Sequence, residues 1–302
     1  MKRFTSNFRT MLAALLATAV VVSSCAAAGL PQSPDGAVHN VVRGLAANHP
    51  EVMWQALPAS YQSDINGLVR DFADQMDPEV WNRSFGVFSK ATQVLSEKKE
   101  FILANPLVAQ QLLEKPEIEQ NWDGIVDLLN IVAASQISTL DQLGDLDIED
   151  FLANTVGEVM AQAEVLAALS SENPRKELDK LQKLSVNLIS NDGSVAVLEI
   201  GDDGEELRQV AFTQVEGKWI PREMAQEWHT TIEHARSELA EVSNQELLQN
   251  KEAILGSLTM TEGALDGMLA AQDINQFNMA LQSLIGAVMM QAMTYGKDAE
   301  GK

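Results

Sequence analysis

The chain has 302 residues, of which 21 are Lys or Arg and 43 are Asp or Glu, giving a net charge of −22 at pH 7. This excess of acid disfavours binding to nucleic acid and to anionic lipid surfaces, both of which select basic proteins. A chain of this length buries about three-quarters of its unfolded surface on folding, so packing alone can stabilise it. Cys25 is the only cysteine, which excludes disulfides within the chain and any cysteine-based metal site.

The first 24 residues have the pattern of a secretory signal. Lys2, Arg3 and Arg9 form a basic head, and the apolar stretch 11–22 is short for a membrane span. Removing 1–24 takes away these three basic residues and no acid, so the remaining chain carries a net charge of −25.

The junction 22–25 (VSSC) resembles the lipobox of bacterial lipoproteins, in which the cysteine receives a lipid. The resemblance implies a lipid-anchored Cys25, a tether over 25–32 and, because Ala26 follows the cysteine, an outer-membrane lipoprotein facing the periplasm. An alternative uses 26–28 (AAA) as an A-x-A cleavage site, which would discard Cys25 and release a soluble periplasmic or secreted protein.

Region 33–181 is predicted to be almost wholly helical. Ser33-Pro34 and Asp77-Pro78 each place a capping side chain before a proline, an arrangement typical of helix starts. Val38, with Val41, Val42 and Leu45, forms one apolar stripe on the first helix. Further helices are predicted over 51–56, 63–75, 79–96, 98–104, 107–114, 122–135 and 148–169.

The stretch 184–221 predicts an antiparallel sheet. Leu184, Val186 and Leu188 alternate with polar residues, which is the period of a half-buried strand. Three reversals, at 191–193 (NDG), 201–204 (GDDG) and 216–217 (EG), separate four strands. The almost wholly apolar second strand, 195–200, predicts cover on both faces of the sheet.

The last reversal is the tightest, and it is followed by Trp219 and then by Pro221, which prevents further strand pairing. We therefore predict that Trp219 is a buried anchor between the last strand and the helices.

After the sheet, the sequence predicts a helical arm over 222–302. A long helix covers 222–242, and two capping boxes, Ser243 with Glu246 and Thr259 with Glu262, predict two further helix starts. Asp273 is predicted to cap a last helix with an apolar stripe over 274–288. Met289, Met290 and Met293 extend this stripe, a spacing that favours core over a recognition surface.

The predicted fold class is α+β, predominantly helical, with one small antiparallel four-stranded meander at about 184–221 packed by helices before and after it. The predicted organisation is a signal peptide over 1–24, a tether over 25–32 and a single α+β domain over 33–302. That domain comprises a helical region over 33–181, the β-meander over 182–221 and the C-terminal helical arm over 222–302.

Two segments, 33–58 (SPDGAVHNVVRGLAANHPEVMWQALP) and 215–221 (VEGKWIP), resemble bacterial lipoproteins with a nuclear-transport-factor-2-like or cystatin-like α+β domain. The resemblance implies a curved meander that wraps helices around a cone-shaped pocket, with structural roles for Trp54, Leu57, Gly217 and Trp219. Enzymes of this family, such as ketosteroid isomerases, place acids, Tyr or His inside the cone. Glu199 is the main acid within a strand here and lies at the strand end, so no catalytic residue is carried over.

The histidines suggest a metal face, but the ligand set is incomplete. His229 and Glu233 lie one helical turn apart, and Glu227 with His234 forms a second pair nearby. A zinc site needs three or four ligands, and the other histidines are distant in sequence. A solvated helix surface is therefore the predicted role.

Two acidic runs also have structural explanations. Asp145 to Asp150 resembles a calcium loop, but Asp150 occupies the position that requires Gly, and the alternation with apolar residues indicates a helix entry. Asp71, Asp74 and Asp77 are spaced as an acidic helix face that leads into a cap. The sequence also lacks a nucleophile elbow, a dinucleotide-binding glycine motif and a phosphate loop.

These patterns predict a non-enzymatic binding or assembly protein of the bacterial envelope, without cofactor, metal or nucleic acid. Its predicted partners are the membrane, through the lipid on Cys25, and a protein or apolar ligand engaged between the sheet and the C-terminal arm. The alternative is an envelope hydrolase or isomerase with a pocket that has no sequence signature.

Overall fold

The computed structural model describes residues 33–113, 116–162, 180, 182–201, 207–243 and 246–297. The predicted signal, Cys25 and the tether before Ser33 lie outside these residues, as do the side chains of Met289, Met290 and Met293.

Helices dominate the chain before the sheet. They are α1 (Pro34–Ala46), α2 (Glu51–Ala56), α3 (Ala59–Gln75), α4 (Pro78–Glu97), α5 (Lys99–Ala104), α6 (Pro106–Leu113), α7 (Pro116–Gln120), α8 (Trp122–Ala133), a 3₁₀ turn (Gln136–Ser138), α9 (Leu140–Gly144), α10 (Ile148–Phe151), a π turn (Leu152–Val156) and α11 (Gly157–Ala161). The π turn interrupts the helix predicted over 148–169, and residues after Gln162 in that prediction lie outside the described part of the chain.

One antiparallel sheet follows, in the order β1-β2-β3-β4, and three long helices come after it. The strands are β1 (Ser185–Asn191), β2 (Val195–Gly201), β3 (Arg208–Val215) and β4 (Lys218–Pro221), and the helices are α12 (Arg222–Ser243), α13 (Glu246–Ala270) and α14 (Ile274–Lys297). The predicted class, a predominantly helical α+β fold around a four-stranded meander, is confirmed.

The capping signals of the first and last helices are confirmed. Ser33 Oγ accepts a hydrogen bond from Gly36 N at 3.3 Å, and Asp273 Oδ1 accepts from Gln276 N at 2.9 Å. Each side chain satisfies an amide that has no partner within its own helix.

The helix start predicted at Thr259 is wrong, because α13 runs without a break from Glu246 to Ala270. Thr259 Oγ1 donates back to Leu255 O at 2.8 Å and also accepts from Arg83 Nη2 at 2.8 Å. Glu262 accepts from the same Arg83 nitrogen at 2.8 Å. Both side chains of the expected capping box therefore make tertiary contacts instead.

The chain divides into two compact units. The sheet unit contains residues 33–72 with Asp145–Ala240, and the helical unit contains Ala73–Gly144 with 241–297. Two of the three boundaries fall within α3 and α12, and the third falls at the end of α9. The single domain predicted over 33–302 stays a prediction.

In the sheet unit, α1 packs its apolar stripe on one face of the sheet. Ala37 and Val38 form a buried cluster with Leu198, Phe212 and Trp219. On this face the second strand is buried at Ala196 and Leu198, whereas Val195 and Val197 on the other face are half-buried.

In the helical unit, α13 runs parallel to α4 along a row of charged contacts. The ion pairs follow the same order along both helices: Lys251 Nζ lies 2.7 Å from Oδ2 of Asp77, which caps α4, and Lys90 Nζ lies 2.7 Å from Asp266 Oδ1. The core of this unit joins α4, α5 and α8 to the last two helices through Val94, Ile102, Trp122, Val126, Leu265, Met268, Ala271 and Phe277.

Candidate functional site

The sheet has two outer strands, and β4 is the protected one. It has only four residues, of which Trp219, Ile220 and Pro221 are buried. At its start, Lys218 Nζ donates to Gln55 O of α2 at 2.6 Å. At its end, Pro221 has no amide hydrogen to offer an added strand. The edge formed by β4 is thus short, covered and closed by proline.

The other outer strand, β1, is exposed. Among the strands that the structure describes, it pairs with β2 alone, and its residues from Asn187 to Asn191 are all exposed. Two of these are large and apolar, with exposed fractions of 43% for Leu188 and 52% for Ile189. The strand contains no charged residue and no proline. We call this surface, Ser185–Asn191, the β1 edge.

A β-bulge explains why two apolar neighbours are exposed together. Leu188 pairs with Leu198 and Ser190 pairs with Val197, so Ile189 is an extra residue without a partner in β2. The alternation predicted from Leu184 to Leu188 would have buried Leu188, and the strand departs from it. The adjacent Leu188 and Ile189 in an otherwise alternating strand are the sequence signal for this bulge.

The β1 edge has the chemistry to accept another strand. An outer strand presents backbone amide and carbonyl groups that no neighbouring strand satisfies, and proteins usually guard them with charge, proline or a covering element. Within β1 itself, the bulge is the feature that protects these backbone groups. An extended polypeptide could therefore add to this edge by main-chain hydrogen bonds and cover the two apolar side chains.

A second group of polar and aromatic residues joins α3 to α12 within the sheet unit. The rings of Tyr61 and Trp228 stack with centroids 3.9 Å apart and planes 3° apart. Trp228 Nε1 donates to Asp64 Oδ2 at 2.9 Å, and Arg236 Nε lies 3.5 Å from Asp71 Oδ2. We call these five residues the α3–α12 clamp.

Both carboxylates of the clamp are paired within it, Asp64 with Trp228 and Asp71 with Arg236. Burial raises the pKa of the Tyr61 hydroxyl above its ordinary value, and the nearby carboxylates of Glu216 and Asp64 raise it further. The hydroxyl therefore stays protonated at neutral pH, and Asp64 is committed to the Trp228 indole and the Arg236 guanidinium. The arrangement holds two helices together.

Glu216 connects the last hairpin to the start of α3. Its carboxylate accepts a hydrogen bond from Ser60 N at 3.1 Å. The Ser60 hydroxyl and the amides of Ser60 and Ala59 hold the pKa of Glu216 below its ordinary value. Both Glu216 and Gly217 have positive φ, 52° and 80°, which matches the tight turn predicted there.

The structure places the histidines of the predicted metal face on the exposed surface of α12. His229 Nε2 lies 3.3 Å from Glu233 Oε1, and His234 Nε2 lies 3.5 Å from Glu238 Oε1. Each pair supplies only two ligand groups, and no cluster of three metal-ligating side chains occurs among the residues that the structure describes.

The acidic runs have structural roles. Asp147 caps α10 by accepting from Asp150 N at 3.0 Å, and Asp77 caps α4 by accepting from Val80 N at 3.0 Å. Lys251 donates to the Asp77 carboxylate and, with the α4 amides, holds the pKa of Asp77 below its ordinary value. Asp71 pairs with Arg236 in the clamp.

Three buried acceptor oxygens near α2 have no donor among the described residues: Asn48 Oδ1, Glu51 Oε2 and Gln55 Oε1. Only Glu51 brings a negative charge, and its other oxygen lies 3.1 Å from His49 Nδ1. One carboxylate with two amide oxygens is a poor ligand set for a divalent cation, so we assign no metal to it.

The four residues given structural roles by the family resemblance all belong to the sheet unit. Trp54 and Trp219 are buried, Leu57 is half-buried and Gly217 lies in the exposed turn. They contribute to packing and turn geometry within this unit.

The described apolar residues of the C-terminal arm pack mainly as core. Leu265, Met268 and Phe277 are buried against Trp122 and other residues of the helical unit. Met260, Met279 and Ile285 are exposed, singly and on different turns. The side chains of Leu247 and Leu248 lie outside the described residues.

None of the described helices is long and apolar enough to cross a lipid bilayer. Comparisons of the chain with family models, with curated proteins and with solved structures find no match. The resemblance to nuclear-transport-factor-2-like lipoproteins stays a prediction.

Proposed function

We propose that the chain is an exported, lipid-anchored binding or assembly protein of the bacterial envelope that works without turnover chemistry. The observation that carries the binding role is the β1 edge, an uncharged outer strand with exposed Leu188 and Ile189. Export and anchoring rest on the basic head, the apolar stretch and the VSSC junction at Cys25.

The β1 edge is a better candidate for the binding surface than the C-terminal arm. The described apolar residues of the arm are largely used by the core of the helical unit, whereas those of β1 are exposed. An exposed strand also specifies its partner chemically, because only an extended polypeptide satisfies a row of backbone groups.

Binding at β1 is tested by site-specific photocrosslinking in cells. A photoreactive residue at position 189 should give a discrete crosslinked product, because it lies on the proposed surface. The same residue at Met279, which is 63% exposed on α14, is the matched control and should give none. Equal yields at both positions would remove the support for binding at β1.

Anchoring is tested by metabolic labelling with a fatty acid. The wild-type protein should take up label and remain with the membrane, and Cys25→Ala should do neither. An unlabelled wild-type protein that begins at Gly29 would show that the A-x-A cleavage site is the one used.

A further inference from the structure

We propose that the strand received by β1 is the β1 strand of a second copy of this chain, paired antiparallel about a two-fold axis. The inference rests on the binding role proposed for the β1 edge and names its partner. Self-pairing satisfies the outer backbone groups of both copies at once and covers Leu188 and Ile189 on each.

The two ends of β1 carry opposite charges, which favours antiparallel self-pairing. Lys183 precedes the strand, is exposed, and forms no ion pair among the described residues. Asp192 follows the strand and is exposed. Antiparallel pairing brings each copy's Lys183 close to Asp192 of the other, so the contact gains two equivalent charge pairs.

The symmetry also restricts the register, and we place Leu188 on the axis. A two-fold axis between antiparallel strands passes between one residue and its own copy, and Leu188 is the middle residue of Ser185–Asn191. With Leu188 on the axis, Asn187 faces Ile189 of the second copy and Ser185 faces Asn191. Lys183 then faces residue 193 and lies diagonal to Asp192, within reach of its long side chain.

The bulge and the net charge limit the strength of this contact without preventing it. Ile189, the bulged residue, lies next to the axis in both copies, so continuous pairing is shorter than the full strand. Repulsion between two acidic chains is screened beyond about 8 Å at physiological salt. The short-range attraction between Lys183 and Asp192 is screened less.

Anchoring by Cys25 would favour the pairing further. Two anchored copies diffuse in one plane, which raises their effective concentration relative to free solution. The seven residues 26–32 span at most about 25 Å when extended, enough for two neighbouring copies to meet while both stay anchored.

The test is disulfide trapping in the full chain. A Cys25→Ser background has no other thiol, so Leu188→Cys introduces a single cysteine that would face its own copy across the axis. Directly opposite residues in paired strands have Cβ atoms about 4.5–5.5 Å apart, close to the separation in a disulfide. Met279→Cys, at a more exposed position on α14, is the control for random collision.

We expect Leu188→Cys to form a disulfide-linked dimer at least tenfold faster than Met279→Cys under the same oxidant. Lys183→Glu should slow this trapping several-fold, because it places like charges beside Asp192. Sedimentation equilibrium should show a concentration-dependent dimer that is lost in Ile189→Lys and kept in Met279→Lys.

A Leu188→Cys rate no greater than that of the control, together with a monomer at all concentrations, would overturn self-pairing. The photocrosslinking product at position 189 separates this failure from a failure of the proposed function. A product with a different protein rejects the second copy and retains binding at β1, whereas the absence of any specific product rejects both.

Discussion

The two outer strands of the sheet differ in nearly every property that controls strand addition. β4 has four residues, three of them buried, and a proline at its end. β1 has seven residues, five of them exposed, and neither charge nor proline. Both strands share one sheet and similar tight turns, so the difference arises from the strand sequences and from the elements that flank each edge.

The comparison teaches that each edge of a sheet is protected by the elements next to it in space. Lys218 reaches across to Gln55 O of α2, so a helix far away in sequence shields β4. The first helix packs on the face of the sheet, at Ala37 and Val38, and leaves the residues of β1 from Asn187 onward exposed. Covering a sheet face therefore does not cover its edge.

The largest expected loss of stability comes from a substitution in β4. Trp219→Ala should lower the free energy of unfolding by about 3–5 kcal/mol, because a ring that is 4% exposed leaves a cavity against α1 and the sheet. The measurement is chemical denaturation, with Leu188→Ala as the control on β1. Equal losses for the two variants would contradict the contrast between the edges.

A smaller effect is expected at the two turns. Gly217 and Gly193 both have positive φ, 80° and 95°, and a Cβ at either would meet no atom within 4 Å. Alanine at either position should therefore cost about 1–2 kcal/mol from backbone conformation alone. Denaturation of both variants checks this. A much larger loss of stability for Gly217→Ala than for Gly193→Ala would show that the turns next to the two edges also differ.

The hairpin that includes β4 should also depend on pH through Glu216. Its pKa is below the ordinary value of 4.5, because the Ser60 hydroxyl and amides at the start of α3 bind the ionised carboxylate. Its contribution is therefore present above pH 4.5 and is lost as pH falls through the lowered pKa.

Stability curves of wild type and Glu216→Gln against pH measure this contribution. The wild type should be the more stable above pH 4.5, and the two curves should converge in acid. A constant offset down to pH 2 would assign the difference to packing and not to the charge.

The smallest effect is expected on the exposed edge. Ile189→Lys should change the free energy of unfolding of the monomer by no more than about 0.5 kcal/mol, because the residue is already 52% exposed. Thermal unfolding at low protein concentration checks this. A loss approaching that of Trp219→Ala would mean that β1 is part of the core.

Local patterns predicted most of the architecture. The NDG and EG reversals, the Ser33 and Asp273 caps and the stripe from Val38 follow from interactions within a few residues, which sequence records directly. The second capping box failed because Thr259 and Glu262 bond to Arg83, more than 170 residues away. No local pattern distinguishes a capping pair from a pair with such a distant partner.

The sequence did not predict the exposure of the β1 edge, for a similar reason. Alternation predicts that one face of a strand is buried, but it does not show which strand lies at the edge of the sheet. The α3–α12 clamp also escaped prediction, since Tyr61 and Trp228 are separated by most of the chain. Only the stacking of the two rings in the folded protein reveals the pair.

Each compact unit is assembled from two segments that are far apart in the chain, and this has a consequence for the timing of folding. Val94 and Trp122 share a core with Met268 and Phe277, so the helical unit cannot complete its core until the last helices have been synthesised. The start of α3 likewise lacks its contact with Glu216 until the last hairpin of the sheet has been synthesised. Such non-local contacts slow folding, because long loops must close before the contacts stabilise them. For the export that we propose, this delay would keep the nascent chain unfolded during passage across the membrane.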